Sequence, residues 1–487
     1  MKFMKVLSCI IALIFTIGCP TENQVVTPTT SPNRMAAEWE PVIGSIIAWP
    51  LIIPKPLVIE LAKEKMLLYV MVSDEIDRYE AENTFKEWGL NMDNVHFVVT
   101  RQGLAWGWPR DWGPFAVYSD RGAYCLADPQ FVTYPLAGPD CDGKLRSDEH
   151  SNPDFFSKER YIGDDLASSA LADSLGFDIS QLAAAVTGGN FLVDGNGTAF
   201  STCTIQMENR SLGLSDEEFF KLLQEKLGMN THVILPNFER FGIQHIDCAI
   251  KPLDEETILV VRVPEDHPEY KFIEEIAQKL QSLTNNTYGR PYKIVRINTG
   301  YYKSERVAAY TNSLIFNKKV FIPLFGIPED KQALKTWQDA MPGYEVIGFE
   351  NDILVPVMGY TGWQSFDGLH CRVRAIWDPG VLRMAHRRMD NTVEPAKSWP
   401  IEVKIQDYSK AGLIPEELKL YVRTQSDQAW QSILLSSTQN PNIFQASIPG
   451  VNSGITVKYY FSAADNSGRR ERLPRTAPDN FYSFTVK

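Results

Sequence analysis

Cys371 lies in the run Gly368-Leu369-His370-Cys371-Arg372-Val373-Arg374, and two polar clusters precede it, Trp108-Pro109-Arg110-Asp111-Trp112-Gly113-Pro114 and His245-Ile246-Asp247. A thiol, an imidazole and two carboxylates are the set needed to attack the carbon of a guanidinium group. Each carboxylate accepts two N–H bonds from a planar cation, and the thiolate is the side-chain nucleophile that is potent near neutral pH. The Trp, Pro and Gly of the first cluster make a stiff loop that would hold Asp111 against an aromatic wall, with a flat cation stacked on Trp108. A turn in which Asp111 pairs with Arg110 is the plainer account of the same residues. Alternation along a strand would put His245 and Asp247 on one side, facing one ligand or satisfying each other in a core. A zinc site on His245, Asp247 and Cys371 is a third account, with no closely spaced ligand pair behind it. Cations beside Cys371 would lower its pKa if they pointed at it, but alternation sends His370 and Arg372 to the opposite face and leaves Arg374. A buried, inert Cys371 is the alternative.

These residues have to be positioned by the elements around them. From Met35 to about Met389 short β-rich runs alternate with helical segments, which is α/β patterning. The pattern predicts strands at Ser45–Trp49, Leu67–Val72, Val95–Thr100, Phe191–Val193, Val233–Leu235, Thr257–Arg262 and Val320–Pro323, and helices at Ile76–Trp88, Leu166–Leu175, Asp216–Leu227 and Lys271–Leu283. Strand, turn and helix units recur at irregular spacing without a strict repeat, and the polar motifs fall near strand ends, where loops can converge. From about Ser398 the texture becomes period-two runs separated by Asn440-Pro441-Asn442, Pro449-Gly450 and Asn466-Ser467-Gly468, which predicts an immunoglobulin-like β-sandwich over residues 398–487 after a linker at 390–400.

Gly188-Gly189-Asn190-Phe191 followed by Asp194-Gly195-Asn196-Gly197 reads as a strand between tight turns. Neither a P-loop nor a Gly-x-Gly-x-x-Gly fingerprint is present, so nucleotide binding is not indicated. A net charge of -12 and a pI near 5.2 argue against nucleic acid and anionic membrane as partners and favour a cationic ligand. At the N-terminus Lys2 and Lys5 precede an apolar stretch from Val6 to Gly18. It is too short for a permanent span and reads as a secretory signal over residues 1–19. Gly18-Cys19 resembles a bacterial lipobox, with Thr16 where Leu is usual, so Cys19 is a candidate for lipidation and residues 20–34 for a disordered tether. Five cysteines remain beyond the signal, an odd number, and the free thiol is assigned to Cys371 while Cys125 and Cys141 are candidates to pair.

Taken together, Ala37-Glu38-Trp39-Glu40-Pro41, Arg110-Asp111 with Gly113-Pro114, Gly188-Gly189-Asn190, His245-Ile246-Asp247, Asn312 to Gly326 and His370-Cys371 resemble, in order, the agmatine deiminase and Porphyromonas-type peptidylarginine deiminase family of the guanidino-group-modifying superfamily. The resemblance spans about Ala37 to Ile376. It implies a pseudo-fivefold α/β-propeller over residues 35–389 with its site in the central channel, and no metal or other cofactor. It also implies that Asp111 and Asp247 clamp a guanidinium, that His245 is general acid and base, and that Cys371 attacks the carbon, with Trp108, Arg110, Gly189 and Asn312 as candidate substrate contacts. The product would be a ureido group and ammonia, formed through a thiouronium on Cys371.

The Trp-rich segment Trp106 to Trp112, the secretory leader, the appended β-region and Thr187 in the place where small-molecule members tend to have Glu point to peptidyl-arginine as substrate. The peptidyl branch reads a C-terminal carboxylate through two closely spaced arginines, whereas the corresponding region here has Arg121, Arg146 and Arg160 far apart and an acidic stretch with Asp140, Asp142, Asp148 and Glu149. Agmatine, hydrolysed to N-carbamoylputrescine, is therefore the alternative, and a surface protein that binds without turnover is a third.

Overall fold

A computed structural model describes residues 33–100, 102–104, 107–131, 161–238, 243–356, 358–424 and 429–487. The expected leader, Cys19, Trp106, Cys141, Arg146, Arg160 and the acidic stretch lie outside these residues.

One local unit recurs five times among the described residues: an antiparallel strand pair, a helical segment, and a strand that returns parallel to the second of the pair. Phe115–Ser119 pairs with Tyr124–Gln130, and after the helix Ile162–Leu175 comes Ile179–Ala185. Leu192–Val193 pairs with Thr198–Thr202, followed by the helices Thr204–Ser211 and Asp216–Leu222 and the strand Thr231–Leu235. Ile250–Pro252 pairs with Thr257–Arg262, then Tyr270–Ser282 leads to Lys293–Asn298. Leu314–Phe316 pairs with Lys319–Pro323, then Asp330–Ala340 leads to Glu345–Phe349. The fifth unit joins the ends of the region: Arg374–Trp377 pairs with Val42–Ala48, the helix Lys55–Leu61 leads to the parallel strand Leu67–Val72, and Glu75–Glu87 to Val95–Val99.

Local chemistry explains these elements. Thr257-Ile258-Leu259-Val260-Val261 is buried along its length, as a strand covered on both faces must be, so its sequence is a continuous apolar run. The helix Tyr270–Ser282 buries Ile273, Ile276, Ala277 and Leu280, residues spaced for one face. Ser215 and Glu218 close a capping box at the start of Asp216–Leu222. There the predicted helix divides, because Leu223–Leu227 continues as a π-turn that ends at left-handed Gly228.

The C-terminal region forms two antiparallel-rich sheets. One contains Leu382–Ala385, Ser398–Asp407, Ile443–Pro449 and Ser436–Ser437, and the other is built around Thr456–Ala464. Ser398–Asp407 alternates exposed and buried residues, and Trp399, Ile401, Val403 and Ile405 enter an apolar cluster with Leu420, Val457, Tyr459 and Phe484. The strands Leu382–Ala385 and Thr392–Val393 belong to these sheets although they precede the predicted start at Ser398. They are too short, at four and two residues, to show a period. The region packs on the α/β units through Arg34, which donates to the Tyr408 hydroxyl at 3.2 Å, and the Arg469–Asp378 ion pair at 2.7 Å.

Two further expectations are corrected. Asn33 and Arg34, assigned to the tether, pair with Ser119 and Tyr118 in a strand. Cys125 is a free thiol, so it does not pair with Cys141, and the disulfide-bonded cysteine among the described residues is Cys203.

Candidate active site

Each of the five units is entered through a tight turn, and each turn carries one of the singled-out motifs. The short helix Pro109–Trp112 precedes Phe115–Ser119, the 3-10 turn Gly188–Asn190 precedes Leu192–Val193, and Ile246–Cys248 precedes Ile250–Pro252. Asn312 stands before Leu314–Phe316, and the turn His370–Arg372 before Arg374–Trp377. Equivalent corners of five units therefore supply Asp111, Gly189, Asp247, Asn312 and Cys371.

Side-chain hydrogen bonds hold these corners together. Asn190 Oδ1 accepts from Thr202 N at 3.0 Å and Ile246 N at 3.2 Å, tying the glycine turn to the His245–Asp247 turn. Gln244, next to His245, has φ 61, a left-handed conformation costly for a residue with a Cβ, and its carbonyl accepts from the Thr202 hydroxyl at 2.9 Å. Asn312 Oδ1 accepts from His370 N at 2.9 Å and Cys371 N at 3.4 Å, and its Nδ2 donates to Cys371 Sγ at 3.3 Å and Cys248 Sγ at 3.5 Å.

Gly189 is the floor of the slot. Its N–H donates to Asp111 Oδ1 at 3.1 Å. A Cβ there would lie 2.7 Å from His245 Nδ1, 2.8 Å from Asp111 Oδ1 and 3.2 Å from Asp247 Oδ2, so one hydrogen's worth of space separates the backbone from an imidazole and two carboxylates. Arg374 fills the region behind, donating to the Pro114 carbonyl at 2.8 Å and the Arg110 carbonyl at 2.5 Å. Above the slot a cavity of about 30 Å³ is lined by Trp108, Asp111, Ile243, Tyr360, Asp367 and Cys371 among others. Trp108 Nε1 donates to Asp367 at 2.8 Å, and Arg372 and Tyr360 bind the same carboxylate at 2.8 Å and 2.7 Å, which fixes this wall. A larger cavity of about 200 Å³ lies elsewhere, between the α/β units and the C-terminal sheets; the thiol does not line it.

Burial dominates the electrostatics of the site. Burial pushes the Cys371 thiol well above its ordinary value, and Asp247 and Asp111 push it the same way. Burial lowers His245 to about 4, against the opposing pull of Asp247, so the imidazole is neutral at pH 7. Asp247 stays below the usual carboxylate range because the contributions of His370, His245 and Lys251 outweigh its burial.

The structure brings Asp111, His245 and Asp247 to Gly189, and places Cys371 with Trp108 and Asp111 at one cavity. Three expectations about orientation are corrected. His245 and Asp247 share a side across a 3-10 turn, not along a strand. Cys371 also sits in a 3-10 turn, so alternation does not govern its neighbours: His370 points to Asp247, Arg372 to Asp367 and Arg374 to backbone carbonyls, and burial with the nearby carboxylates outweighs the attraction between Arg372 and the thiol. Asn312 contacts the thiol and the turn that carries it. Arg110 points behind the slot, toward the His370 carbonyl at 3.4 Å and Glu38 at 3.7 Å. Among the described residues no group of three or more His, Cys, Asp or Glu side chains is arranged to hold a metal ion, so His245, Asp247 and Cys371 are not a zinc set.

Sequence reasoning did not assign roles to Glu38 and Lys251. Glu38 Oε2 is 2.5 Å from His370 Nε2, Glu38 Oε1 is 3.0 Å from Lys251 Nζ, and His370 Nδ1 is 2.7 Å from Asp247 Oδ2. The signal available was a pair of Glu residues, Glu38 and Glu40, in the opening segment and a Lys within the buried run Ile250–Pro252.

The model of the Porphyromonas-type peptidyl-arginine deiminase family matches residues 34–371, a stretch that begins at the first described strand and ends on Cys371. A Selenomonas ruminantium protein named "Putative agmatine deiminase" is 26% identical over 368 residues, covering 66% of this chain and 91% of its own length. The agmatine deiminase of Pseudomonas aeruginosa is 24% identical over 368 residues, 67% of this chain and 92% of its own. A solved structure of the agmatine deiminase of Enterococcus faecalis, 20% identical, shares the fold with a TM-score of 0.53 over 72% of this chain and 96% of the other. The chain belongs to the Porphyromonas-type peptidyl-arginine deiminase family, hydrolases of carbon–nitrogen bonds in linear amidines.

Proposed function

We propose that the protein converts a guanidinium group to a ureido group and ammonia, with Cys371 as nucleophile. The groups around Gly189 carry this reading: two carboxylates and an imidazole converge within 3.2 Å of the point where a Cβ would stand, next to the cavity that Asp111 and Cys371 line. A planar cation entering from that cavity donates its N–H groups to Asp111 and Asp247. Burial raises the thiol pKa most, and Asp247, Asp111 and Asp367 add to it; a cation beside Asp247 and Asp111 offsets their charge, so substrate binding and thiolate formation are coupled. Cys371 gives its proton to neutral His245 as the sulfur adds to the guanidinium carbon; the C–S bond forms, the C=N π pair moves onto nitrogen, and the imidazolium passes that proton to one nitrogen. Ammonia leaves as that C–N bond breaks, and a thiouronium remains on Cys371. Water, deprotonated by His245, adds to the same carbon, and collapse returns the thiol and releases the ureido product.

The substrate is best read as a guanidino compound without a carboxylate, agmatine first. The relatives' names support this, and so does the cavity lining, in which Asp111 and Asp367 are the charged residues and none is cationic among the described residues. The peptidyl-arginine reading drawn from the sequence is second. It rests on Thr187, whose hydroxyl donates to buried Glu208 at 2.8 Å and which leaves no carboxylate directly before Gly188. Ureido colorimetry and ammonia release on agmatine, free arginine and internal or C-terminal arginine peptides separate the two. Cys371→Ser is expected to abolish turnover on whichever substrate is used, and its full retention would end the proposal.

Five recurring units support closure into a pseudo-fivefold propeller, and the two C-terminal sheets support an immunoglobulin-like sandwich. Export, with lipidation of Cys19, is supported by the apolar leader and by the disulfide at Cys203. Detergent partitioning of the native protein against a Cys19→Ala variant tests the anchor.

A further inference from the structure

Asp247 must present charge to a guanidinium while Lys251 attracts it from behind. Lys251 and Arg110 both lie behind the slot, and both are engaged by Glu38, at 3.0 Å and 3.7 Å. Glu38 Oε1 also accepts from Ile315 N at 3.1 Å, which fixes the carboxylate in place. Between Glu38 and Asp247 stands His370, fully buried, with one ring nitrogen 2.5 Å from Glu38 and the other 2.7 Å from Asp247. Each of these contacts requires a hydrogen between nitrogen and oxygen, because lone pairs facing each other at such distances repel. Two contacts require two protons over one imidazole and two carboxylates.

We propose that Glu38 and His370 are positioning residues for Asp247, a carboxylate–imidazole–carboxylate relay that aims Asp247 over Gly189 and keeps its charge available to the substrate cation. The inference rests on the guanidinium-hydrolase reading above. Glu38 absorbs Lys251 and Arg110, and His370 supplies Asp247 with one directed N–H donor in place of a diffuse attraction toward Lys251. The groups facing His370 are Asp247 from its turn, Glu38 from the opening segment, Arg110 from the short helix and Lys251 from the strand Ile250–Pro252. His370 spends both ring nitrogens on Asp247 and Glu38, so the role assigned to the pair is positioning.

The test compares alkylation of Cys371 by chloroacetamidine, a planar cation, with alkylation by neutral chloroacetamide, in the full chain across pH 5–9. The wild type is expected to prefer the cation. Glu38→Gln, which keeps the shape and removes the charge, is expected to reduce that preference about tenfold and to raise KM for the guanidino substrate more than it lowers kcat. It should also bring a new ionisation into the pH profile, as His370 loses a partner. His370→Asn keeps a donor toward Asp247 and should retain more of the preference than His370→Ala. Unchanged preference and pH profile in all three variants would overturn the proposal, as would equal slowing toward both reagents in step with lost thermal stability. A wild type without preference for the cation would sink the guanidinium reading instead. In that case far-downfield ring N–H resonances of His370 still decide the relay: present in the wild type and shifted in Glu38→Gln they support it, and absent in the wild type they overturn it.

Discussion

Gly189→Ala is the sharpest perturbation that the site offers. The backbone φ of Gly189 is outside the left-handed range, so alanine adds a methyl group without a conformational penalty of that kind. The new carbon would lie 2.7 Å from His245 Nδ1 and 2.8 Å from Asp111 Oδ1, about 0.6–0.7 Å inside ordinary van der Waals contact, and 3.2 Å from Asp247 Oδ2. Its neighbours are short side chains on tied turns, and overpacking of this size costs about 1–3 kcal/mol of stability. The greater effect is on chemistry. A 1 Å misplacement of reacting groups costs roughly 100-fold, near 2.7 kcal/mol of activation free energy. We expect kcat/KM on the best guanidino substrate to fall at least about 100-fold, with Tm lower by several degrees. Steady-state ureido release with calorimetry on the same preparation measures both. A folded Gly189→Ala protein with kcat/KM within about threefold of wild type would refute the idea that substrate lies over this glycine. Gly188→Ala is a different experiment, since its Cβ would meet the Arg110 carbonyl oxygen at 2.0 Å, and it should fail to fold.

Asn312→Ala removes the amide that binds the thiol and leaves the Cys371 N–H without its acceptor, while the His370 N–H keeps the Asn312 backbone carbonyl at 3.1 Å. A buried donor so exposed costs about 1–3 kcal/mol, so urea unfolding should show a loss of about that size and turnover should fall at least tenfold. Glu208 is raised by burial to about 8, so between its ordinary value near 4.5 and about 8 the folded chain holds a proton that the unfolded chain has released. Stability from this group falls as pH rises through that window. Glu208→Gln should therefore stabilise the protein at pH 9 by about 2–4 kcal/mol, from roughly 1.4 kcal/mol per pH unit, and change little at pH 4.5. His245 shifts the other way, to about 4, so the unfolded chain takes up its proton first as pH falls from 6.5 and the folded state is weakened there. Tm of His245→Asn should be less acid-sensitive than wild type between pH 6.5 and 4, and equal slopes would contradict a buried neutral imidazole.

What the amino-acid sequence determined by itself is local. Continuous apolar runs place Leu67–Val72 and Thr257–Arg262 as predicted, and a period of 3.6 places Tyr270–Ser282 within one residue of its predicted bounds. Short polar motifs in a fixed order also carry the family, because their residue types are demanded by the chemistry. Orientation was not legible. Asp111, Gly189, Asp247, Asn312 and Cys371 stand on turns of a few residues, too short for any period, so whether a side chain faces the slot was decided by hydrogen bonds from distant segments. His370 and Glu38, 332 residues apart, meet because closure of Arg374–Trp377 against Val42–Ala48 brings the two ends of the α/β region together. A local pattern holds no information about that closure. Burial of the apolar strands drives it, and the polar corners are carried into contact with one another.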